Sequence, residues 1–119
     1  MADNRDPLGC LILEQHPLPL VDDLESLSQT LRSRLYKSAS KPRIKRNVDR
    51  QVITDIVLQL CEGRLIMLLC LAELVKRKPG TLRDRYLKTL FRQWQLNLAF
   101  PKTPSQERQA YTTVKPSNP

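Results

Sequence analysis

Residues 65–100 read LIMLLCLAELVKRKPGTLRDRYLKTLFRQWQLNLAF, and their punctuation decides the fold. Leu65-Ile66-Met67 is apolar without helical spacing and predicts a short strand. A helix follows over about 68–76, stopped by the turn Lys78-Pro79-Gly80. Thr81 then opens a further helix, because Thr81 and Asp84 have the Thr-x-x-acid arrangement of a helix start. At about 100° per residue, Leu87, Leu90, Phe91 and Trp94 share one side while Arg85, Lys88 and Arg92 share the other. Such a helix can lay a basic side in a major groove while its apolar side packs on a core. Leu96-Asn97-Leu98-Ala99-Phe100 then alternates like a strand.

On the C-terminal side, residues 101–109 are polar and turn-rich, and 110–114 form a second strand. The pair reads as a β-hairpin whose long tip carries Lys102 and Arg108; 115–119 read as a disordered tail. On the N-terminal side, Asn47 or Asp49 can cap a helix reaching about Glu62, with Val52, Ile53, Ile56, Val57 and Leu60 on its buried face. Gly63 suits the residue after its end. The order is helix, short strand, helix, turn, helix, two-stranded wing. Residues 48–114 are therefore expected to form a mainly α winged helix-turn-helix.

Residues 1–47 precede it as an arm, a helix and a linker. Pro7, Pro17 and Pro19 break up Leu8-Gly9-Cys10-Leu11-Ile12-Leu13, so a loose arm is expected there rather than a strand. Leu20, Leu24, Leu27, Leu31 and Leu35 recur at intervals of three and four, predicting an amphipathic helix over about 22–36. Acids in its first turn and bases in its last suit the helix dipole. Leu24, Leu27, Leu31 and Leu35 make a narrow seam of the kind that joins two helices, and they are expected to form a homodimer or other partner interface. Residues 37–50, KSASKPRIKRNVDR, read as an extended basic linker broken at Pro42. It is either a solvated connection or an arm lying along phosphates, with Arg43, Lys45 and Arg46 at the contact.

Charge follows the same division. The chain has 119 residues, enough for one domain, and carries a net +8. Residues 1–36 hold three bases and six acids, whereas 37–119 hold seventeen bases and six acids. The positive charge sits where the expected recognition helix and hairpin lie, as for a polyanion binder. Other classes recede. No apolar run approaches the roughly 18 residues needed to span a membrane. The start, Met-Ala-Asp-Asn-Arg-Asp, is too polar for a signal peptide. Cys10, Cys61 and Cys70 lack the spacing of a disulfide framework or zinc site, so a reducing cytoplasm is expected. His16 has no Ser or Cys partner at readable spacing. No catalytic residue, cofactor or metal ligand is expected.

The stretch 71–113 resembles the winged-helix module near the C-terminal ends of bacterial Fic-type proteins, predicted helicase-like regulators and related multidomain ATPases. Leu71-Ala72-Glu73-Leu74-Val75-Lys76-Arg77 is similar to the second helix of that pattern. Leu82-Arg83 and Tyr86-Leu87 match its third helix, Phe100-Pro101 its strand end and Gln109-Ala110-Tyr111 its last strand. The resemblance implies the fold; such modules serve both DNA and protein binding. Four positions depart. Trp94 replaces the glycine that ends the third helix, Thr89 replaces a proline, and Met67 and Leu69 replace polar residues at the start of the second helix. Those last two imply a deeper core packed on the N-terminal helix, or else an apolar docking patch.

The expected function is a small DNA-binding regulator of transcription. Thr81, Arg83, Arg85 and Lys88 would meet base edges or phosphates, and Arg43, Lys45, Arg46, Lys102 and Arg108 would add electrostatic contacts to duplex DNA. The alternative is a protein-binding adaptor or inhibitor in a defence, toxin or mobile-element complex, suggested by the apolar run 65–71 and the leucine seam.

Overall fold

The computed structural model describes residues 4–14, 16–103 and 109–114. Helices pack against a small four-stranded sheet, so the fold is α/β rather than the expected mainly α, with one strand, at Leu20–Val21, that the sequence reading lacks. In chain order come β1 (Leu20–Val21), a 3₁₀ turn (Leu24–Ser26), α1 (Gln29–Ser38), α2 (Ser40–Ile44), α3 (Arg50–Leu60), β2 (Leu65–Met67) and α4 (Leu68–Val75). Then follow α5 (Pro79–Leu82), a π-helical turn (Arg83–Leu87), α6 (Lys88–Arg92), β3 (Leu96–Leu98) and β4 (Ala110–Thr113).

The sheet runs β1-β2-β4-β3. β2 lies parallel to β1 and antiparallel to β4, and β3 and β4 form the antiparallel hairpin. Packing on both faces of the sheet explains why 65–67 is apolar without alternation: a strand covered on both faces needs no polar side. Ile66 faces the main core, while Leu65 joins Leu20 and Ala110 in a smaller cluster on the other face. Leu11, Leu13 and Leu18 cover that second face.

The N-terminal arm is therefore folded onto the sheet rather than loose. Leu11 and Leu20 exchange backbone hydrogen bonds at 2.8 Å each. Asp6 accepts from the amides of Leu8 and Cys10, a local Asx arrangement that bends the chain. Arg5 grips Asp22 with two prongs, 2.9 and 3.0 Å. Gly9 has φ +89°, and a Cβ there would stand 2.2 Å from the Ser26 carbonyl oxygen. Only glycine fits so close a crossing.

The leucine-rich helix is split. Asp23 caps the 3₁₀ turn and Ser28 caps α1, so regular helix begins only at Gln29. Leu24, Leu27, Leu31 and Leu35 are all buried in the chain's own core. The expected partner interface is thus an internal one: the seam shares one core with residues of α3 and α4, while Leu69 at the start of α4 stays exposed instead of joining it. One core holds residues from both sides of position 47.

The expected extended linker is instead the short helix α2. Pro42 is its third residue, where a backbone N–H has no intrahelical partner to lose. Proline there stiffens the first turn instead of breaking it. Helix 79–92 starts earlier than expected, with Pro79 at its first position and no side-chain cap. Thr81 lies inside the first turn, and Asp84 pairs with Arg83 rather than closing a capping box.

The π-helical turn widens this helix in its middle, which shifts the phase of every later residue from the ideal step. Leu82, Leu87 and Leu90 stay buried, whereas Phe91 is 45% and Trp94 82% exposed. Those two aromatics were expected inside. Trp94 nevertheless takes the left-handed conformation, φ +62°, that glycine would supply. Its N–H donates to the Phe91 carbonyl and that of Gln95 to Leu90, the paired bonds of a Schellman helix end.

Candidate nucleic-acid interface

The hairpin is fixed against α3 before any functional side chain is placed. The Thr112 hydroxyl donates to the carbonyl of Cys61 at 3.0 Å, and the Thr113 amide donates to it at 3.1 Å. At the hairpin mouth, the buried Gln109 amide bridges both strands. Its oxygen accepts from the Phe100 N–H at 2.9 Å, and its nitrogen donates to the Phe100 and Thr103 carbonyls at 2.9 and 3.1 Å. Pro101 and Lys102 follow at once, so the start of the tip is held beside helix 79–92.

That helix is buried along Leu82, Leu87 and Leu90, and its opposite side carries exposed Thr81, Asp84, Arg85, Lys88 and Arg92. The basic side expected from the sequence is present, with one acid in it. Asp84 accepts a hydrogen bond from Arg83 Nε at 3.2 Å and lies 3.5 Å from Lys88 Nζ. The Arg83 hydrogen bond, helped by the Lys88 charge, holds the Asp84 carboxyl below the usual carboxylate range. It stays ionised at neutral pH and cancels part of the surrounding charge.

The expected contact residues fall into separate groups. Arg46, Arg85 and Thr81 line one polar cavity of about 420 Å³ between α3 and helix 79–92, together with Arg77. Arg83 and Lys88 line a second, apolar groove facing the hairpin. Lys45 is exposed at the end of α2, and Lys102 is exposed at the hairpin. Arg108 lies outside the described residues.

Arg43 belongs to neither group. Its Nη1 donates to the Glu73 and Leu74 carbonyls at 2.6 and 3.3 Å, and its guanidinium lies 4.5 Å over the Tyr36 ring. Arg43 therefore caps the C-terminal end of α4, where carbonyls lack partners and a cation suits the dipole.

Three residues that matter here are not among those the sequence assigns to the interface. Arg77 donates through Nη1 to the carbonyls of Pro42, Val75 and Lys76, and through Nη2 to that of Arg46. It thereby ties the basic segment 41–46 to the end of α4. Arg50 donates to the Arg85 carbonyl inside the π-helical turn and lies 5.6 Å over Tyr86. That contact fixes the widened turn from which Arg85 projects. Asp84 could have been found by counting charge along the helix face rather than reading it as a cap.

Burial pushes the thiols of Cys10 and Cys70 up to about 11 and that of Cys61 up to about 12, so all three stay protonated at neutral pH. His16 Nδ1 accepts from the Leu18 amide at 3.3 Å, a local turn contact. Among the described residues no three His, Cys, Asp or Glu side chains gather as metal ligands. No helix of the described residues is long and apolar enough to cross a membrane.

Compared with protein-family models, with curated proteins and with solved structures, the chain matches none.

Proposed function

We propose that residues 48–114 act as a winged helix-turn-helix that binds duplex DNA, serving as a small regulator of transcription in the cytoplasm. One observation carries this reading: helix 79–92 is anchored by Leu82, Leu87 and Leu90 while Arg85, Lys88 and Arg92 stand exposed on its other side. A helix held from behind with cations in front suits a major groove. The order α3, β2, α4, helix 79–92, β3, β4 and the β2-β4-β3 pairing support the fold assignment. The residues that carry the resemblance to the module of Fic-type and ATPase regulators, Leu71, Tyr86 and Gln109, lie in α4, in helix 79–92 and beside β4.

In this reading Arg85 and Lys88 meet bases or phosphates from the helix, and Arg46 and Lys45 add phosphate contacts from the end of α2. Lys102 adds another from the hairpin. Arg83, turned toward the hairpin and bonded to Asp84, is placed at the edge of the contact.

A second reading is a protein-binding adaptor, favoured by the exposure of Trp94 (82%) and Leu69 (65%). A partner that covered either side chain would remove a large apolar area from water. Fluorescence anisotropy with a labelled duplex separates the two readings. Arg85→Glu and Lys88→Glu each weaken binding by at least about tenfold if the helix faces DNA. Unchanged affinity in both variants contradicts the DNA reading.

A further inference from the structure

Between helix 79–92 and the hairpin lies a groove of about 440 Å³. Its floor is apolar, formed by Leu87 and Tyr111, which are 1% and 6% exposed, with Leu98 beside them. Phe91 lines it while leaving 45% of its surface open, and Pro101 closes the hairpin side. Two cations, Arg83 and Lys88, complete the lining, with side chains 51% and 59% exposed. An apolar trough with a few convergent polar groups, in this volume range, is the usual form of a small-molecule site. The paired cations set the sign of its ligand. Asp84, bonded to both, is a carboxylate already held by them and shows what they can grip.

We propose that this groove binds a small amphipathic anion, a carboxylate on a flat apolar body of about 10–20 non-hydrogen atoms. The carboxylate lies between Arg83 and Lys88, sharing them with Asp84, and the apolar body covers Leu87, Phe91 and Leu98. The same ligand then competes with DNA, a consequence that rests on the DNA reading above. It adds negative charge beside the basic side of helix 79–92 and occupies Lys88, so each ligand lowers the affinity of the other equally.

The test titrates the full chain, labelled with ¹⁵N, with 2-naphthoate and with its neutral analogue 2-naphthamide. The expected result is saturable shifts centred on Leu87, Phe91, Leu98 and Tyr111, with the amide about tenfold weaker. Phe91→Glu, at an exposed position, abolishes the shifts while leaving the far-ultraviolet circular dichroism unchanged. Asp84→Asn tightens naphthoate binding, because the cations lose their internal rival. Shifts scattered over the surface without saturation, or equal affinity for the amide, overturn the proposal. So does an acidic peptide that saturates the groove when naphthoate does not. In a second arm, naphthoate raises the Kd for a labelled duplex with the unmodified chain and leaves it unchanged with Phe91→Glu. If the duplex does not bind at all, the DNA reading falls while the naphthoate titration still decides the groove.

Discussion

The carboxylate of Asp84 stands 3.5 Å from the ammonium of Lys88, four residues further along the exposed side of helix 79–92. The same carboxylate accepts from Arg83. An acid in the middle of a basic surface opposes a polyanion. Both partners are solvated, so the pair adds little to folding, and its effect is read in binding. Asp84→Asn is therefore expected to raise affinity for duplex DNA about three- to tenfold at low ionic strength, with the gain shrinking as salt is added. Anisotropy at two salt concentrations measures it. A loss of affinity would show that Asp84 positions Lys88 rather than cancelling it.

Gly9 and Gly63 have similar backbone angles, φ +89° and +73°, but unlike surroundings. A Cβ at Gly9 would strike the backbone of Ser26 and Leu27, whereas one at Gly63 meets nothing within 4 Å. Gly63→Ala is expected to cost about 1 kcal/mol, the left-handed penalty alone. Gly9→Ala is expected to cost about 2–4 kcal/mol, because the arm must also move off the sheet. Urea unfolding of both variants gives the difference directly. Equal losses would mean that the arm contributes nothing to the fold.

Leu31 is 2% exposed in the main core, so its role is internal packing. Leu31→Ala should lower unfolding free energy by about 2–5 kcal/mol. Leu27→Asp together with Leu31→Asp should abolish cooperative unfolding, since two charges would enter an apolar core. A well-folded double variant would instead mean that the seam faces a partner.

The three buried thiols predict a loss of stability in alkali. Cys61 rises from an ordinary 9.0 to about 12, and Cys10 and Cys70 rise to about 11, in each case chiefly through burial. A thiol whose folded value is raised supports the native state fully below the unfolded value. That support is lost as pH climbs from about 9 toward 11 and 12. Urea midpoints at pH 7.5 and pH 10.5 should therefore differ, with the lower midpoint in alkali. Matching midpoints would contradict the burial of the thiols.

What could be read in the sequence was local. The strand at 65–67 and the helix after it stand as expected, because turns bound them and apolar character runs through both. Arg85 and Lys88 stand exposed as the helical period required. Contacts between residues distant along the chain carry no such local signal. Arg5 meets Asp22 and Arg43 caps a helix thirty residues away, and neither leaves a pattern in spacing. Pro42 read as a break because its position in a helix was unknown, and the first turn tolerates it. Phe91 borders the groove beside Leu87 and Trp94 lies past the end of the helix, so both stay exposed although the helical period groups them with Leu87 and Leu90. Trp94 adopts a glycine conformation without being glycine, because the Schellman bonds hold it there.

The central claim is that exposed cations on one side of this chain neutralise DNA phosphates, and a salt titration of duplex binding tests it most directly. With about five phosphates neutralised, log K should fall against log salt with a slope near −4 to −5. Arg85→Ala should make that slope shallower by about one unit if its contact is to phosphate. An affinity that stays the same from low to physiological salt would contradict the account.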